Sequence, residues 1–194
     1  MCWPRHWLSS NHTNRGKVST VPIPGSTDSP DSLAIVSVAM GQWAVAAAPA
    51  KIRTLLGSCV GVALYDRVAR LGGVAHIVLP SSRGAIDHPG KYADTAIPAM
   101  IADLDQRLGG KARLRLIAKL VGGANMFQID PSLRDNAVLN IGQQNQQAIE
   151  RILTDLMIPT LARDLGGTSG RRLTLDTASG IVTIKVPGGA DHEI

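Results

Sequence analysis

Residues 54–80, TLLGSCVGVALYDRVARLGGVAHIVLP, constrain the fold more than any other stretch of this sequence. Two short apolar runs are joined by a polar turn, and the stretch carries one cysteine, Cys59, and one histidine, His76. Val60, Val62 and Leu64 alternate with Gly61, Ala63 and Tyr65, the period of two expected of a strand. Gly73 to Leu79 gives a second β-like run, and Asp66 to Gly72 supplies the turn. An antiparallel hairpin follows, and its register decides whether Cys59 and His76 share a face, because a one-residue slip moves a side chain to the other side. Pairing Tyr65 with Gly72 sets His76 opposite Gly61 and diagonal to Cys59, at about 7–8 Å. Pairing Tyr65 with Gly73 separates them.

The flanking segments suggest a single domain over residues 34–187, between an N-terminal tail (1–33) and a C-terminal tail (188–194). Pro4, Pro22, Pro24 and Pro30 stand among Ser, Thr, Asn and Gly in the first segment, without sustained periodicity. The runs LAIVSVAMG and WAVAAAP, punctuated by Gly41 and Pro49, suggest two strands in a hairpin, with a helix open for the Ala-rich part. Ala93, Ile97, Ile101, Leu104 and Leu108 are spaced for one helix face that stops at Gly109 and Gly110. Leu114, Leu116, Ala118 and Leu120 have strand periodicity, broken by Gly122 and Gly123. Ala148, Ile149, Ile152, Leu153 and Leu156 predict a second helix over 142–157, and RLTLD with IVTIKV reads as a closing hairpin. Two helices and roughly seven strands, many joined by hairpin signals, favour a mixed, largely antiparallel α/β sandwich over a doubly wound parallel sheet.

Composition narrows the function classes. The net charge is +5, but the 20 basic residues are scattered, and Tyr65, Tyr92 and Phe127 are the only aromatics beyond residue 43, too few for a stacking platform. Nucleic-acid binding is not expected. The two cysteines offer neither a disulfide framework nor a CxxC motif, so no metal and no cofactor is expected, and Cys59 reads as a reduced thiol of the cytoplasm. No run reaches the 18 or so apolar residues of a membrane span, and the N-terminus lacks a signal-peptide apolar region, which predicts a cytoplasmic protein.

A lone buried cysteine is either an inert core residue or a nucleophile, and a histidine in an apolar strand is either a core residue or a base; the residues alone leave both open. Together they suit hydrolysis of a carboxamide, which needs a nucleophile, a proton for departing ammonia and a stabilised oxyanion. A neighbouring imidazolium would lower the thiol pKa. Gly57 and Ser58 before Cys59 either aim amides at that oxyanion or make a tight bend. Lys119 with Gly122 and Gly123 borders a cleft or ends a strand, and Asn145 suits the start of the second helix. Tyr65, Asp66, Gly72 and Gly73 read as turn and packing residues, and His88 as a loop residue. The Gly166 to Arg172 loop has no phosphate-binding pattern.

The stretches TLLGSC, LYD (64–66), GGVAHIVLP, KYAD (91–94), KLVGGANMF (119–127), IGQQN (141–145) and GGTSGRR (166–172) occur in an order and spacing that resembles the CheD family of chemoreceptor glutamine deamidases, from about Leu33 to Pro187. The resemblance implies an α/β sandwich related to the catalytic domains of deamidating toxins. It implies Cys59 as nucleophile, His76 as its base and, in the strand before the cysteine, Thr54 as the third member of the site. The substrates implied are glutamines on the cytoplasmic helices of methyl-accepting chemoreceptors, converted to glutamates. The family also implies hydrolysis of glutamyl methyl esters and, in some systems, binding to a CheC-type phosphatase. A receptor- or phosphatase-binding regulatory protein with little catalysis is the alternative from another class.

Overall fold

The structure, a computed structural model, describes residues 33–85, 87–110, 112–126 and 141–194. All but the last residue of the expected N-terminal tail lies outside the described residues, as does Phe127. In chain order the elements are β1 (Ala34–Ser37), β2 (Trp43–Ala47), β3 (Ala50–Leu56), β4 (Val60–Asp66), β5 (Leu71–Ile77), α1 (Ala93–Leu108), β6 (Leu116–Gly122), α2 (Ile141–Asp155), β7 (Thr160–Leu165), β8 (Arg171–Asp176), β9 (Val182–Lys185) and β10 (His192–Glu193). They form two five-stranded sheets, an outer one ordered β1-β3-β8-β9-β10 and a central one ordered β2-β5-β4-β6-β7. Only the β1–β3 and β6–β7 pairs are parallel among these. The class is the expected mixed, largely antiparallel α/β sandwich.

The central sheet is covered on both faces. Val60, Val62, Leu64, Ala75, Ile77 and Leu120 pack on Ile97, Met100 and Leu104 of α1 and on Ile149 and Leu153 of α2. On the opposite face Ala63, Val74 and Val121 meet Ile52, Leu56, Leu173, Leu175 and Ile184 of the outer sheet. Every residue of β4 and β5 is therefore buried, whereas β3 alternates buried with more exposed positions. The large-small alternation of β4 now has a physical reason. Its large residues point at the helices, and its small ones let the two sheets close: a Cβ on Gly61 would lie 2.9 Å from Leu56 Cδ1 and 3.0 Å from Leu173 Cδ1.

Both expected helices form. α1 buries Ala93, Ala96, Ile97, Met100, Ile101 and Leu104 and stops at Gly109, whose φ of 67° is the left-handed conformation glycine adopts freely. The β4–β5 register is Tyr65↔Gly72 and Gly61↔His76, the one that puts Cys59 and His76 on a common face.

One local expectation is corrected. β1 and β2 do not pair as a hairpin: β1 runs parallel to β3 in the outer sheet and β2 antiparallel to β5 in the central sheet. Residues 38–42 carry the chain between the sheets, held by Val38 N–H on Arg53 O and Gly41 N–H on His76 O. Short apolar runs encode strand propensity but not partner choice, and here the two runs join different sheets. The last residues of the expected C-terminal tail add β10, with His192 opposite Ile184. β7 is a parallel edge strand whose Leu161 is exposed, so its sequence lacks the apolar alternation that would mark it.

Candidate active site

Thr54, Cys59 and His76 come from three elements that meet where the two sheets face each other. Thr54 lies on β3 of the outer sheet, between Ile52 and Leu56 on its inward face, and is paired with Leu173. His76 lies on β5 of the central sheet, and Cys59 ends the bend Gly57–Cys59 that leads from β3 to β4. All three are buried. Continuing the β4–β5 register one residue past Val60↔Ile77 sets Cys59 opposite Val78, so His76 is its diagonal neighbour on the same face.

The Thr54 hydroxyl is 2.8 Å from Val38 O and 2.7 Å from His76 Nδ1. A carbonyl can only accept, so the single hydroxyl proton goes to Val38 O, and Thr54 Oγ1 must accept from His76 Nδ1–H. In the neutral imidazole that arrangement leaves the lone pair on Nε2. Nε2 is buried and has no partner among the described residues. The ring is thus held in the tautomer a base needs, by a bond that crosses from one sheet to the other.

Burial pushes the Cys59 thiol up and drives the His76 imidazolium down to about 4. The resting pair is therefore neutral at pH 7, a thiol and an imidazole. Desolvation is the cause of both shifts, since burial disfavours the charged form of each group.

Glycines shape the bend. Gly123 N–H donates to Cys59 O at 2.7 Å, and Ala124 N–H to Gly57 O at 2.9 Å. Gly122, at φ 110°, passes so close that a Cβ there would lie 2.4 Å from Cys59 O. Half-exposed Met126 lies over Gly57, where a Cβ would come within 2.5 Å of its Sδ.

The other residues singled out in the sequence make contacts of their own. Lys119 donates to Gly180 O and Ile194 O, tying the central sheet to the C-terminal part of the chain. Asn145 does not cap α2 but is buried within it and donates to Val78 O. Arg171 pairs with Asp164 and with Gly166 O, which accounts for its loop as a packed turn. Tyr65 donates to Thr177 O and Asp66 accepts from Val68 and Ala69 amides, as turn and packing residues do. His88, in the left-handed region, lines a cavity of about 220 Å³ with Gln42, Trp43, Val78 and Lys91. None of Thr54, Cys59 and His76 lines that cavity; the three are buried where the two sheets face each other. No group of three side chains suited to a metal ion occurs among the described residues. Val38 O and the Gly123 amide had no signal in the sequence, because backbone atoms of any residue could fill those places.

A family model described as CheD chemotactic sensory transduction matches residues 78–186. The chain is 48% identical, over 79% of its length and 91% of the relative, to a protein of Desulforamulus reducens named "Probable chemoreceptor glutamine deamidase CheD". It is 45% identical to the protein of the same name from Moorella thermoacetica, with 79% and 91% covered. It is 39% identical to "Chemoreceptor glutamine deamidase CheD" of Thermotoga maritima, with 80% and 94% covered. A matched stretch of 156 residues, wherever it begins in 194, includes positions 59 to 76.

Proposed function

Because this chain belongs to the CheD family, we propose that it is a cysteine-dependent amidohydrolase acting in the cytoplasm, where it converts glutamines on chemoreceptor helices to glutamates during chemotactic adaptation. The observation that carries the catalytic reading is the Thr54–His76 hydrogen bond, which presents an Nε2 without a partner among the described residues on the face shared with Cys59.

The steps follow from those protonation states. As Cys59 Sγ attacks the glutamine carboxamide carbon, its proton passes to His76 Nε2, and the carbonyl π electrons move to oxygen. Nε2–H then protonates the departing nitrogen, and ammonia leaves behind a thioester. Water gives a proton to Nε2 and its oxygen to the acyl carbon. The C–S bond breaks, glutamate is released and the thiol takes its proton back. Imidazolium exists only transiently, held by Thr54 Oγ1 on its Nδ1 side. A glutamyl methyl ester would pass through the same steps with methanol leaving.

The test is mass spectrometry of a chemoreceptor cytoplasmic fragment incubated with wild type and with Cys59→Ala. A gain of about 1 Da per converted glutamine, absent with the variant, is expected. A wild-type protein that binds the fragment without changing its mass would show instead a regulatory binding module.

A further inference from the structure

Two consecutive amide side chains of α2 each touch the backbone beside one member of the Cys59–His76 pair. Asn145 Nδ2 donates to Val78 O at 2.9 Å, two residues after His76. The β4–β5 ladder ends at Val60↔Ile77, so Asn145 meets this carbonyl just beyond the last strand pair. Gln146 Nε2 donates to Gly123 O at 3.3 Å, and the amide of that same Gly123 holds Cys59 O. One turn earlier, Gly142 sits so close that a Cβ on it would lie 2.8 Å from Gly123 O. The helix that carries these amides is seated on the central sheet through Ile149 and Leu153.

Asn145 is fully buried, and its Oδ1 has no partner among the described residues. An apolar residue there would avoid the desolvation of that oxygen, so the amide is useful for the bond its NH₂ makes and not for burial. Since the two contacts come from adjacent residues of one rigid helix, they tie the end of β5 to the turn that backs Cys59.

We propose that Asn145 and Gln146 are positioning residues that set the approach of Cys59 Sγ to His76 Nε2. The proposal rests on the reading of Cys59 and His76 as nucleophile and base. Neither amide touches the thiol or the imidazole. Each acts through backbone, Asn145 on the Val78 end of β5 and Gln146 on Gly123 and through it on Cys59. Displacements of an ångström in a near-attack geometry cost up to about 100-fold in rate.

The pair can be read without any substrate. Alkylation of Cys59 by iodoacetamide, followed by peptide mapping so that Cys2 does not contribute, is compared in wild type, His76→Gln, Asn145→Ala and Gln146→Ala across pH 5–9. The rate lost in His76→Gln defines the part that depends on the base. Asn145→Ala and Gln146→Ala are expected to lose most of that part. With the receptor fragment, kcat should fall by about 10- to 100-fold with KM kept. Gln146 is half-buried and its bond to Gly123 O is long, so Gln146→Ala decides the matter should Asn145→Ala not fold. A folded variant of either residue with wild-type alkylation rate and pH profile overturns the proposal, whatever its thermal stability. Absence of Cys59-dependent deamidation in wild type counts against the catalytic function alone, and the alkylation profiles still decide the positioning role.

Discussion

Thr54 matters because it accepts from one imidazole nitrogen and donates to one carbonyl, which leaves it no alternative bonding pattern. Thr54→Val keeps the shape but removes the acceptor for Nδ1–H and the donor for Val38 O. It is expected to lower kcat about 100-fold and stability by about 1–3 kcal/mol, whereas Thr54→Ser retains most of both; steady-state kinetics and denaturant unfolding check this. His76 makes a second prediction through its imidazolium pKa, about 4 when folded against 6.5 in an ordinary setting. Between those values the unfolded chain binds the extra proton, so the burial of neutral His76 is fully favourable above pH 6.5. That advantage is lost as pH falls toward 4. The change amounts to about 3 kcal/mol, and urea unfolding from pH 7 to 4 should show it in wild type and flattened in His76→Gln. The acid limb of kcat/KM should likewise lie near pH 4 and not near 6.5. Cys59 and His76 were legible as residues in the sequence, and the family resemblance supplied Thr54. The tautomer was not legible, because it depends on Val38 O, a backbone atom that no side-chain pattern marks.

The elements that hold the site are a hairpin, a bend and a helix end. Reading β4 and β5 as a hairpin needed only local alternation and a turn, and the register Tyr65↔Gly72 follows from which residues must be small where the sheets close. The bend before β4 depends on a distant glycine. Gly122→Ala would force φ near 110° on a residue with a Cβ and push that atom into Cys59 O. A loss of about 1–3 kcal/mol is expected, with a fall in deamidation larger than the stability change explains at temperatures where the variant is folded. Circular dichroism melting and receptor-fragment mass spectrometry check the two parts. In the sequence, Gly122 and Gly123 were visible as the end of a strand or the border of a cleft. What they touch, a carbonyl more than 60 positions earlier, follows from β6 lying beside β4.

At the scale of the molecule, the central sheet is shared by two cores, one against the helices and one against the outer sheet. Leu104→Ala in the first and Leu173→Ala in the second should each cost about 2–5 kcal/mol. Both variants should melt in a single transition, by far-ultraviolet and fluorescence probes alike, since neither core survives without the sheet they share. By itself the sequence determined the helices, the β4–β5 hairpin, the closing hairpin and the presence of a thiol and an imidazole in or beside that first hairpin, because periodicity, glycine stops and turns are local. Only the tertiary structure decided that β1 and β2 part into different sheets and that Thr54 reaches His76 across the seam. It also decided that Cys59 and His76 are buried and that α2 touches the backbone beside each of them. Those contacts join residues far apart in the chain, and their partners are chosen by how the layers close, not by any neighbour in sequence.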